Sequence, residues 1–310
     1  MVIKMTIRHL KIFIAVAESG SMSATANKYY ISQPTVSQTI RELEKHYGVA
    51  LFDRLSKRLY ITKDGEELLV YARQIVTSFN QMEAKMLKNS QIESLRVGGT
   101  MTVGTCLLSN ALKDYAMMQP EIETYAYVGN THQIEMKLLK SELDVGIIEG
   151  EPVSGDLLCE PLVSDSLVLV CNAEHRLATQ QKIFVEDLTQ QRFVMREEGS
   201  GTRELFERFL NLHQIEIDVR WEANCPEMIR QVVKDNDCLA VISERLVERE
   251  LEEGSMKAFQ LETEEWNRTF KLVYHKDKVV TDAIYALKAV LQYYEKQDEG
   301  RKKNLGILHA

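Results

Sequence analysis

The stretch that most constrains this chain runs from Ser23 to Thr62, SATANKYYISQPTVSQTIRELEKHYGVALF followed by DRLSKRLYIT. Ser32 is a good helix cap, and Pro34 suits the turn that follows, where its missing N–H costs nothing. Val36, Ile40, Leu43 and Tyr47 then recur at steps of four, three and four, which predicts one core-facing helical face. Gly48 stops that helix. Its other face carries Gln33, Thr35, Ser37, Gln38, Arg41 and Lys45. Short hydrogen-bonding side chains flanked by cations can read base edges and hold phosphates. For an isolated helix, a merely solvated face is the commoner explanation, but the surroundings reverse that judgement. A short helix started by Ser21 or Ser23 precedes it, with Ile31 filling the turn between them. Residues 51–62 then predict two strands around Arg54, Lys57 and Arg58. The expectation is a helix-turn-helix with a basic hairpin whose tip reaches a neighbouring groove or phosphate. Ahead of it, residues 6–18 predict a further helix with Ile7, Leu10, Ile14 and Ala17 on one face, Phe13 alongside and Gly20 at its end.

The net charge of −8 argues against nucleic acid only until it is divided. Residues 1–62 hold nine Lys and Arg against four Asp and Glu, a balance of +5, which leaves 29 against 42, or −13, for residues 63–310. A basic head on an acidic body suits a head that meets phosphate and a body that does not. The apolar and charged shares, 45% and 27%, are those of an ordinary globular protein, and 310 residues allow two or three domains. The five cysteines form no C-x-x-C pair, so they read as reduced core residues of a cytoplasmic protein. No signal peptide and no membrane-spanning run is visible.

Thr62 can cap a helix over residues 64–90, with Asp64, Glu66 and Glu67 at the positive end of its dipole. Gly65 costs that turn about 1 kcal/mol. Leu68, Ala72, Ile75, Phe79, Met82 and Met86 follow at steps of 4, 3, 4, 3 and 4, a heptad seam. We read it as a dimer seam rather than packing on the chain's own core, because the helix is long and lies between domains.

From residue 92 to 294, strand-like runs (94–99, 123–129, 143–148, 166–171, 192–196, 219–223, 238–243 and 269–275) alternate with helical patterns near 103–118, 131–141, 203–212, 226–235, 244–252 and 281–295. That alternation predicts an α/β body with largely parallel sheets in two lobes, and a polar tail over 297–310 that frays. Open α/β sheets bind ligands at the carboxyl ends of their strands. Several such ends carry small polar residues before a helix: Thr100, Met101 and Thr102; Thr131; Glu149 and Gly150; Ser200, Gly201 and Thr202 with Arg203 beside them; and Asn224. Each alone is ordinary capping. Five in one module predict a shared pocket for an anion or carboxylate.

The sequence carries no recognisable catalytic pattern. The loop GSGT matches neither G-x-S-x-G nor a phosphate loop, the seven His are dispersed, and no metal set or cofactor motif appears. Trp221 and Trp266 read as core or hinge packing. The expectation is a non-enzyme without cofactor or metal.

The head, IRHLKIFIAVAESGSMSATANKYYISQPTVSQTIRELEKHYGVALFDR with LYIT and a Gly three residues on, resembles the winged helix-turn-helix of the LysR-type transcriptional regulators. The body resembles that family's two-lobed effector domain, similar to periplasmic binding proteins. GNTHQIEMKLLKSELDVGIIEG and REEGSGTRELFE further resemble the branch that regulates sulfur and carbon-dioxide metabolism. The resemblance implies a DNA-binding domain over 1–63, a linker helix over 64–90 and an effector domain over 91–296. Lobe 1 would take about 92–162 and 268–296, and lobe 2 about 163–267. It also implies DNA contacts at Gln33, Pro34, Thr35, Ser37 and Gln38, with Arg41 and the wing residues Arg54, Lys57 and Arg58. The family commonly has Arg where this chain has Gln38; Gln can still read adenine through two bonds, so the guanine preference that Arg implies does not simply carry over. The implied effector pocket is Thr100, Met101, Thr102, Thr131, Ser200, Gly201, Thr202 and Asn224. The implied partners are an inverted-repeat operator, a small anionic metabolite and further copies of the chain, as dimers and tetramers. Contact with the transcription machinery stays open, as do a regulator that has lost ligand sensing and a cytoplasmic small-molecule-binding protein without DNA function.

Overall fold

The computed structural model describes residues 5–55, 58–87, 93–298 and 305–310. It divides into two compact units, one ending at Glu93 and one beginning at Ser94.

The first unit opens with α1 (Ile7–Ser19), α2 (Met22–Lys28) and α3 (Gln33–Tyr47). Ser21 caps α2 by accepting from the Ala24 N–H at 3.2 Å, and Ser32 caps α3 by accepting from Thr35 at 3.3 Å. Gly20 and Gly48 end α1 and α3 in the left-handed region, at φ 61° and 75°. The wing is β1 (Phe52–Leu55) paired antiparallel with β2 (Arg58–Ile61). Lys57 lies outside the described residues. Arg54 and Arg58 sit in the two wing strands, opposite Leu59 and Leu55.

Helix α4 (Lys63–Leu87) follows, capped by Thr62, whose Oγ1 accepts from the Gly65 N–H at 3.0 Å. Gly65 is there for space, because a Cβ would stand 2.3 Å from the Leu51 carbonyl oxygen. Two sequence expectations change in this unit. Tyr47 does not face the core but is 41% exposed, with its hydroxyl on the Met5 sulfur. The seam on α4 is divided: Ala72 is fully buried and Leu68 packs beside it in the core formed with Leu10, Phe13, Val36 and Ile40. The first turns of α4 lie across α1, so their apolar side chains are used inside the chain. Ile75, Met82 and Met86 stay exposed, as does Tyr71 one turn before Ile75.

In the second unit the first lobe contains β3 (Glu93–Thr100), α5 (Met101–Val103), a π turn at Gly104–Leu108, α6 (Ser109–Met118), β4 (Ile122–Gly129), α7 (Thr131–Leu139) and β5 (Val145–Glu149). A 16-residue strand, β6 (Leu157–Asn172), leads into the second lobe. That lobe holds β7 (Lys182–Phe184), β8 (Arg192–Arg196), α8 (Gly201–His213), β9 (Asp218–Ala223), α9 (Pro226–Asp235), β10 (Ala240–Ser243), α10 (Glu248–Glu252) and β11 (Met256–Leu261). Strand β12 (Asn267–His275) returns along β6, and α11 (Asp282–Asp298) packs on the first lobe. A last strand, β13 (Gly306–His309), lies between β11 and β7.

The strand order β4-β3-β5-β12-β6-β11-β13-β7 therefore runs through both lobes, with β10 also on β6 and β8 paired with β9. Separate buried clusters fill the lobes. One is built around Val97, Tyr115, Ile147 and Phe270, and another around Leu169, Phe206, Phe259 and Trp266.

The sheets are mixed rather than largely parallel. Strands β5, β6, β10, β11 and β12 pair antiparallel wherever the two crossing strands take part. Alternating elements cannot reveal a strand that returns along its predecessor. Pro161 hid the first half of β6 from a sequence reading; it is accommodated beside a register shift at Phe270 and Lys271. The tail does not simply fray, since Leu308 is fully buried in β13. Trp266 is core, but Trp221 is 43% exposed.

Candidate functional site

Two places gather the residues singled out from the sequence. On α3, a shallow concave surface of about 750 Å³ is lined by Gln33, Pro34, Thr35, Ser37, Gln38, Thr39, Arg41 and Glu42. Gln33, Pro34, Thr35, Gln38 and Arg41 are exposed. Ser37 is only 9% exposed, so it supports the surface more than it projects from it. Thr35 is drawn back to the cap, its hydroxyl 2.8 Å from that of Ser32. Gln38 donates to Glu42 at 2.9 Å, an acidic neighbour on the same face that the sequence reading passed over.

The second place lies between the lobes of the second unit. Glu149, at the end of β5, is 2% exposed. Its Oε1 accepts from the Thr100 hydroxyl at 3.0 Å. Its Oε2 accepts from the Thr202 hydroxyl at 3.0 Å and from Arg268 Nη1 at 3.1 Å. Arg268 Nε donates to Asp165 at 2.7 Å, and the Ser243 hydroxyl donates to the other oxygen of Asp165 at 2.6 Å. Burial would raise the Glu149 carboxyl, but the guanidiniums of Arg268 and Arg196 and the hydroxyl donors outweigh it. Its pKa therefore lies below the ordinary carboxylate value and it is charged at neutral pH. Arg196, 5% exposed, is balanced by a two-point pairing with Glu197 at 2.8 and 3.0 Å.

Gly201 makes this closeness possible. A Cβ there would stand 2.8 Å from the Glu149 carbonyl oxygen, so only glycine lets the start of α8 reach the end of β5. Asn130 and His132 of the first lobe also reach the second, donating to the carbonyls of Glu198 and Gly199 at 3.2 and 3.4 Å.

Around this junction, four buried polar atoms have no hydrogen-bond partner: the hydroxyls of Thr102, Thr131 and Ser200, and Nη2 of Arg268. An unmet buried group costs about 1–3 kcal/mol. Thr102 and Thr202 also line a crevice with Arg196, Pro226, Ile229, Ile242, Ser243 and Leu246 that is too tight to admit a water molecule. Thr100 and Thr202 are already committed to Glu149. Met101 is half-buried, and Asn224 is exposed at the end of β9.

Burial pushes the Cys106 thiol up to about 12, so it stays protonated and poorly nucleophilic. Among the described residues no group of His, Cys, Asp and Glu could hold a metal ion, and no helix is long and apolar enough to cross a membrane.

The family model for bacterial regulatory helix-turn-helix proteins of the lysR family matches residues 7–66, and that for the LysR substrate binding domain matches residues 88–295. The chain belongs to the LysR family. It is a DNA-binding transcriptional regulator with a small-ligand-binding domain. The RuBisCO operon transcriptional regulator of Allochromatium vinosum is 30% identical over 285 residues, 91% of this chain and 94% of that one. Full-length OxyR from Pseudomonas aeruginosa has the same fold, with a TM-score of 0.77 at 22% identity over 93% of this chain and 95% of that one. The regulatory domain of Synechocystis CcmR in complex with 2-PG matches with a TM-score of 0.62 at 23% identity, covering 66% of this chain and 99% of that one.

Within this LysR chain, sequence reasoning found the hydroxyls and missed the charges they surround. Glu149 stands at a strand end that the pattern marked without assigning it a role. Asp165, Arg196 and Arg268 lie inside or beside strand runs, where nothing local distinguishes a buried ion from an exposed one.

Proposed function

We propose that this regulator binds an inverted-repeat operator through the exposed face of α3, and that a small oxyanion seated between the lobes of its second unit sets its operator affinity. The four unpartnered buried atoms of Thr102, Thr131, Ser200 and Arg268 carry the reading, because all can donate and one is cationic. The CcmR regulatory domain in complex with 2-PG is consistent with an anionic ligand. The exposed stripe of Tyr71, Ile75, Met82 and Met86 on α4 supports a dimer that holds two copies of α3 at a fixed spacing. The protein acts in the cytoplasm and without catalysis.

The experiment is a thermal-shift titration of the full chain with phosphate, sulfate and 2-PG. At least one anion raises the melting temperature, and the combined substitution Thr102→Val, Ser200→Ala abolishes that rise. A rise that survives in the double variant places the anion elsewhere. One observation favours a second reading. Glu149 already occupies the hydroxyls of Thr100 and Thr202, which suits a regulator whose cleft is closed by its own side chains. In that case no anion shifts the melting temperature.

A further inference from the structure

Glu42 stands one helical turn after Gln38 on the exposed face of α3, and both of its oxygens are engaged within the first unit. Oε1 accepts from the Gln38 amide nitrogen at 2.9 Å. Oε2 lies 3.1 Å from His9 Nε2. On its other side, His9 Nδ1 meets two groups of Thr6, the hydroxyl at 2.6 Å and the backbone N–H. The Thr6 backbone N–H, which can only donate, points at His9 Nδ1 at 3.3 Å. Nδ1 is therefore an acceptor, the neutral ring carries its hydrogen on Nε2, and Nε2 donates to Glu42. The side chain of Glu42 is 30% exposed and that of His9 20%. Donors from the start of α1 and from the Gln38 amide thus converge on the carboxylate of Glu42.

We propose that Glu42 is a specificity-determining residue: by fixing the orientation of the Gln38 amide, it makes this regulator prefer adenine over guanine at one position of each operator half-site. The proposal rests on the reading of α3 as the DNA-facing helix. A primary amide has one acceptor and two N–H donors. With one N–H spent on Glu42, Gln38 offers the groove one acceptor and one donor. Adenine presents the complement, the N6 donor and the N7 acceptor. Guanine presents two acceptors, O6 and N7, so one of them meets the Gln38 oxygen. An unrestrained glutamine could rotate to turn its nitrogen toward both. Here such a flip would set the amide oxygen against the Glu42 carboxylate, two acceptors with no proton between them.

The test is selection of operator duplexes from a random pool by the full chain, run in parallel for the wild type, Gln38→Ala, Glu42→Ala and Glu42→Gln. In the wild type one half-site position selects adenine, and Gln38→Ala loses that preference. Glu42→Ala keeps the rest of the motif, but the adenine-over-guanine ratio at that position falls by about fivefold or more, the loss of one good base contact. Glu42→Gln retains the preference, because its carbonyl accepts the same N–H. Three results overturn the proposal. If Gln38→Ala leaves the motif unchanged, or the wild type selects none, the DNA-facing reading fails and the proposal with it. If Gln38→Ala alters one position and Glu42→Ala matches wild type there, the reading of α3 stands and the role of Glu42 falls. If Glu42→Ala weakens binding equally at every position, its role is structural only.

Discussion

Replacing Arg268 by methionine keeps most of the side chain's length and removes its charge from between two buried carboxylates. Arg268 is 6% exposed and binds Glu149, 2% exposed, and Asp165, fully buried. Breaking a buried ion pair by removing one partner costs about 3–5 kcal/mol, because the charge left behind has no counter-ion. For a unit the size of the one beginning at Ser94, each kcal/mol moves the melting temperature by about 2–4 °C, so a fall of about 6–20 °C is expected. Adding Glu149→Gln should recover part of the loss, because the one carboxylate that remains, Asp165, still has Arg245 at 3.6 Å. The pH dependence has a definite sign. In the wild type the Glu149 pKa is depressed, so its contribution is present above the ordinary carboxylate value and is lost as pH falls through the lowered one. Without Arg268, burial dominates and the folded-state value rises, so the variant gains stability relative to its own unfolded state as pH falls. The gap between the two proteins should therefore narrow as pH falls from neutral toward the ordinary carboxylate range. Differential scanning calorimetry measures both quantities. A fall of less than about 3 °C, or a gap that widens toward acid, would refute the claim that this arginine neutralises the interlobe cluster.

Two further perturbations separate roles that the sequence merged. Ile75→Glu with Met82→Glu should turn a dimer into a monomer by light scattering while the first unit keeps its melting temperature, since both side chains are exposed. Ala72→Glu should instead unfold that unit, because position 72 is fully buried; equal behaviour of the two variants would undo the division of the α4 stripe. Leu308→Asp buries a carboxylate between β11 and β7, and the second unit should melt several degrees lower. An unchanged melting temperature would mean that β13 adds nothing to that lobe.

The first unit was legible because its signals are local. Ser32, Pro34 and Gly48 punctuate α3, and the four-three step of Val36, Ile40 and Leu43 identifies its buried face. Tyr47 broke the pattern because the last turn of α3 runs past the core it packs on. The 4-3-4-3-4 step on α4 was visible, but not which of its positions α1 would cover. In the second unit the hydroxyls at strand ends could be found by position, and Thr102, Thr131 and Ser200 are indeed buried. The ion cluster could not. Glu149 and Arg268 are far apart in the chain and meet only because β12 returns beside β5 and β6. The last strand was invisible for the same reason, since a stretch as short as Gly306–His309 becomes a strand only through the neighbours waiting on both sides.

The most direct test of the account is the affinity of the full chain for its selected operator, followed by fluorescence anisotropy at fixed salt, with and without the anion that raises its melting temperature. The anion should change operator affinity several-fold in the wild type and leave it unchanged in the Thr102→Val, Ser200→Ala variant. An anion that binds between the lobes yet leaves operator affinity the same would contradict the claim that the cleft governs DNA binding.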